Sequence, residues 1–64
     1  MTHIEARTLR NQKGFDATFV AQKIGVSRDD YLNFERGKIN LPEEAMEKLE
    51  RLLGYIDIFS YNYW

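Results

Sequence analysis

Few side chains in this 64-residue chain have the types and spacing that chemistry requires. There is one histidine, His3, and no cysteine. Without cysteine there is no thiolate nucleophile, no disulfide framework and no thiolate metal site. His3 stands alone near the terminus, so it reads as neither a ligand nor a base. Glu43, Glu44 and Glu47 fall together as a solvated face rather than as acids paired across a cleft. No glycine-rich run offers itself to a phosphate. The chain is expected not to be an enzyme, with no catalytic residue, no metal, no cofactor and no small-molecule ligand.

What must position any remaining polar groups is a small folded domain. Charged residues make up 30% and hydrophobic ones 44%, a balance that suits a packed chain and not a disordered one. At this length a chain buries only about 60% of the surface its unfolded form exposes, so the core is thin. No apolar run approaches the roughly 20 residues of a membrane span. The opening Met1 to Arg7 is broken by charges and does not read as a signal peptide. The expected compartment is the cytoplasm, with no membrane contact.

Four glycines, Gly14, Gly25, Gly37 and Gly54, divide the chain. Each follows a helix-like stretch and sits where a left-handed terminating residue belongs. The first stretch, Thr2 to Lys13, has modest apolar content in Ile4, Ala6 and Leu9. In the second, Asp16 to Ile24, Asp16 is the expected N-cap and Val20, Ala21 and Ile24 share a face. In the third, Ser27 to Arg36, Ser27 and Asp30 fit a capping box, and Tyr31 and Phe34 face the core. The fourth, Pro42 to Leu53, starts with proline at the first helical position. Its Ala45, Met46, Leu49, Leu52 and Leu53 form the clearest amphipathic stripe. Only Gly25-Val26 joins the second and third stretches, which is the arrangement of a helix-turn-helix unit. Ala21 is small where the two helices cross, and Val26 plugs their angle.

The unbroken spacing of Ala21, Gly25, Val26, Tyr31, Phe34, Glu35 and Gly37 resembles the Cro/C1-type (XRE family) helix-turn-helix domain of phage and bacterial repressors. The resemblance runs from about Leu9 to Gly54, and Lys38-Ile39-Asn40-Leu41-Pro42 is similar to the family's loop before its fourth helix. It implies an all-α, lambda-repressor-like fold, a compact four- to five-helix bundle around a central helix-turn-helix. It also implies binding to a double-stranded DNA operator as a homodimer, with the third helix in the major groove. Base-reading positions then fall on Ser27, Arg28, Asp29 and Asn33. Arginine pairs bidentately with guanine and asparagine with adenine. Phosphate positions fall on Arg10, on Ala17 at the start of the second helix, and on Lys38 and its neighbours. From the residues alone, Arg28 and Asn33 read equally as solvated side chains and Lys38 as a loop lysine. Asp30 reads as a capping acid, and Glu35 as a group that pairs locally or holds the next loop.

Residues 1–40 carry seven Lys/Arg against five Asp/Glu, and residues 41–64 two against five. The half that the resemblance assigns to DNA is therefore mildly basic, although Asp29, Asp30 and Glu35 against Arg28 and Arg36 make the third helix acidic by count. Ala17 stands where the family usually has a phosphate-holding glutamine. Phe19 and Leu32 are expected to point outward together. These departures keep a second function open: a helix-turn-helix scaffold serving as a protein-protein interaction module, an antirepressor or adaptor with weak or no DNA binding. The first reading is a small transcriptional regulator of the repressor kind.

Residues 1–54 are thus read as the DNA-binding domain and 55–64 as an aromatic tail. Five of the nine aromatic residues lie in that tail, so its fate weighs on the whole chain. It reads as a short fifth helix, as a dimerisation arm paired with a second copy, or as coil folded over the core. Ile56, Ile58, Phe59, Tyr61, Tyr63 and Trp64 are the expected dimer contacts. Docking Ile56, Ile58, Phe59 and Trp64 is worth several kcal/mol at about 25 cal/mol per Å².

Overall fold

The computed structural model describes residues 1–55. Among them are four helices and no strand: α1 (His3–Lys13), α2 (Ala17–Ile24), α3 (Arg28–Glu35) and α4 (Glu43–Leu53). The expected all-helical bundle is observed, with α2 packed on α3 and α4, and α1 packed on α3 and α4. The expected tail contacts, from Ile56 to Trp64, lie outside the described residues.

Local chemistry sets each helix end. Asp16 accepts from the Thr18 amide and Ser27 from the Asp30 amide, both at 3.1 Å. Only the Ser27 half of the expected capping box forms. A complete box stands instead at α1, where the Glu5 amide donates to Thr2 Oγ1 and the Thr2 amide donates to Glu5 Oε1. Gly25 ends α2 at φ 80°, in the left-handed region, where a Cβ would cost about 1–2 kcal/mol. Its amide and that of Val26 both donate to the Ala21 carbonyl. Pro42 differs by one place from expectation. Its ψ of 151° is extended, so it is the N-cap and α4 begins at Glu43.

The core gathers Ala6, Val20, Ala21, Ile24, Tyr31, Phe34, Leu41, Ala45, Leu49 and Leu53, with Val26, Met46 and Leu52 half-buried against it. Ala21 is 1% exposed where α2 meets its neighbours. Tyr31 and Phe34 pack as a tilted pair with ring centres 6.2 Å apart. Ile4 is not part of this core and is 67% exposed. In an α-helix Ala6 and Leu9 share a face three residues apart, and that face excludes Ile4. Leu32 is not outward either, because it packs half-buried against the core. Phe19 remains partly exposed, tilted against Phe15 with ring centres 5.0 Å apart, and the Lys23 ammonium lies 5.5 Å from its ring centre.

Candidate nucleic-acid interface

Helix α3 divides its residues between two duties. Tyr31, Phe34 and Glu35 are buried. Ser27, Arg28 and Asp29 at its start are exposed, and Asn33 is half-buried. Ser27 is also the N-cap, so its hydroxyl oxygen already accepts from the helix it precedes. The residues carried over as base readers therefore share one short element, and Arg28 and Asp29 are exposed there without a capping duty. Lys38 is exposed in the loop beyond Gly37, and its amide donates to the Asn33 carbonyl. Gly37 itself has φ 78° and lies so close to His3 that an added Cβ would stand 3.0 Å from the imidazole. His3 thus meets the loop that follows α3, a packing role that nothing in its sequence neighbourhood indicated.

Arg10 and Glu35 fix the rear of α3. Arg10 Nε and Nη2 donate to the two carboxylate oxygens of Glu35 at 2.6 and 2.9 Å, and Nη1 donates to the Phe15 carbonyl at 2.9 Å. One guanidinium so ties α1, the α1–α2 turn and α3. The side chains are only 15% and 5% exposed. Glu35 pairs at long range, not locally as its sequence suggested. Burial pushes its carboxyl up, but the hydrogen bonds and charge of Arg10, with a smaller attraction from Arg7, hold it below the usual carboxylate range. The Arg10 guanidinium is raised in turn, chiefly by its hydrogen bond to Glu35. Tyr31 Oη is buried beside the pair and meets no partner at good hydrogen-bond geometry. Burial first, and then Glu35, raise that phenol well above its ordinary range.

This pair changes the charge balance of the reading helix. With Glu35 buried against Arg10, the exposed charges of α3 and its cap are Asp29 and Asp30 against Arg28 and Arg36. The surface is balanced, not acidic. Ala17 is 6% exposed, so it offers no side chain at the start of α2, where Asp16 already caps the Thr18 amide. Arg10 is half-buried in the ion pair. Arg7 and Arg36, which the sequence reading did not single out, border the same cleft as Arg10 and Glu35. The signal available was their helical spacing: Arg7 is three residues before Arg10, and Arg36 four after Leu32.

Among the described residues no helix is long and apolar enough to cross a membrane, and no three His, Asp or Glu side chains gather as a metal site would require. A family model described as helix-turn-helix matches residues 7–59. No curated protein and no solved structure matches the chain.

Proposed function

Because the chain belongs to the Cro/C1-type helix-turn-helix family of DNA-binding regulators, we propose that it is a small sequence-specific transcriptional regulator that lays α3 in the major groove of an operator. The observation that carries this reading is the division of α3. Tyr31, Phe34 and the Arg10–Glu35 pair hold the helix from behind and leave Arg28 and Asp29 open to a partner. Arg28 is assigned to a guanine edge and Asn33 to an adenine edge, with Ser27 and Asp29 beside them. Lys38, Arg10 and the amide end of α2 at Ala17 meet phosphate. Repression is the output and the cytoplasm the compartment. Two copies bind together, with Ile56, Ile58, Phe59, Tyr61, Tyr63 and Trp64 supplying apolar contact from both chains at once.

Anisotropy of a labelled duplex pool tests the reading. Binding should weaken steeply between about 50 and 200 mM salt, by the counterion release that phosphate contacts cause. Selection from the pool should enrich a short site with two-fold symmetry. No binding at low salt would reject it. The alternative, a protein-interaction module, is supported by Phe19, which is 37% exposed although aromatic. Its other support weakens, since Leu32 turns inward.

A further inference from the structure

A second cationic feature lies at the other end of α3 from Arg28. Between α1 and α3 is a cleft of about 200 Å³ lined by Arg7, Arg10, Leu32, Glu35 and Arg36. Three arginines and one glutamate therefore line one cleft. Both oxygens of that carboxylate already accept from Arg10. Arg7 and Arg36 are exposed, and neither has an ion pair among the described residues. Arg7 nevertheless lies close enough to attract Glu35 and lower its proton affinity. Like charges along one cleft repel, and an anion seated between them relieves that repulsion. Planar guanidinium forks match an oxyanion that can accept from two sides, and phosphate is the prime case.

We propose that this cleft seats one phosphate of the DNA backbone, held by Arg7 and Arg36 over the Arg10–Glu35 pair. The inference rests on the DNA-binding reading and adds Arg7 and Arg36 to its phosphate contacts. Two features favour a nucleic-acid phosphate over an acidic protein segment. The cleft is walled by α3, the helix that carries the base-reading candidates. Its Arg36 also runs through Gly37 into Lys38, which continues the positive edge.

The test compares salt dependence on a random duplex for the full chain and for Arg7→Ala/Arg36→Ala. A control of equal charge loss, Lys48→Ala/Arg51→Ala on α4, accompanies it. Loss of one seated phosphate should make the slope of log K against log salt shallower by about one, with affinity falling about tenfold at low salt and the selected site unchanged. The control should keep the wild-type slope. Arg7→Lys/Arg36→Lys should restore most of the slope, because charge and not shape sets it. Arg7→Ala alone serves if the double variant melts early. A double variant whose slope matches the control overturns the phosphate seat while leaving the regulator reading in place. A wild-type chain that binds no duplex overturns both.

Discussion

Arg10→Met isolates the ion pair behind α3. The variant keeps the length of the side chain and removes three hydrogen bonds, two to Glu35 and one to the Phe15 carbonyl. Glu35, at 5% side-chain exposure, is left as a buried charge without its partner. Breaking a buried pair in this way costs about 3–5 kcal/mol. The lost donor to Phe15 falls within that sum at about 1 kcal/mol. A domain of this length has roughly 3–10 kcal/mol in all, so urea unfolding followed by circular dichroism should place the variant near the edge of stability at neutral pH. Arg10→Met/Glu35→Leu removes both charges and should recover most of the loss, leaving about 1 kcal/mol for the orphaned carbonyl.

Acid adds a second check with a defined sign. In the native chain the Glu35 carboxyl is held below its ordinary value of 4.5. Its stabilisation is complete above that value and is lost as pH falls through the lower, folded one. In Arg10→Met the same carboxyl is buried and unpaired, so its proton affinity rises and protonation relieves the penalty. The stability gap between native and variant should therefore shrink from neutral pH to about pH 4. A double variant as unstable as the single one, or a gap that widens in acid, would refute the account.

Three further outcomes follow from local geometry. Gly37→Ala places a Cβ 3.0 Å from the His3 ring at φ 78° and should cost more than the roughly 1–2 kcal/mol of the backbone alone. Gly14→Ala, with φ 72° and nothing within 4 Å of its Cβ, should show only the backbone cost, and thermal melts of His3→Ala/Gly37→Ala should narrow the difference. Ala21→Leu inserts bulk at a 1%-exposed crossing and should destabilise by about 1–3 kcal/mol in urea titration. Arg28→Ala should cost about 1–3 kcal/mol on the selected operator and relax preference at one base pair, read by competition anisotropy. Equal loss on random duplex would remove Arg28 from the base-reading set.

The helices were legible because their ends are local events. Asp16 and Ser27 cap within three residues, the four glycines all take positive φ, and the stripe of α4 repeats at the helical period. The box at Thr2 and Glu5 obeys the same rule and was equally readable. What the sequence hid is contact at a distance. Arg10 and Glu35 are 25 residues apart, and nothing near either one names the other. The same holds for His3 against Gly37. Leu32 read as outward because a helix of two turns leaves its flank ambiguous, and only the packing of α1 decides it. The candidate interface was legible to the extent that Arg28, Asp29 and Lys38 are exposed. Arg7 and Arg36 emerge only when α1 and α3 are set side by side.

The division of labour along α3 also has an evolutionary consequence. Arg28 and Asp29 touch solvent, whereas Tyr31, Phe34 and Glu35 supply the anchorage. Substitutions at exposed positions are usually neutral to within about 0.5 kcal/mol, so positions 28 and 29 can drift through many residue types without endangering the fold. A lineage carrying this scaffold can move from one operator to another by single steps, each tolerated before it is selected. Asn33, half-buried, is the slower letter of that alphabet, since its replacements must also satisfy the core.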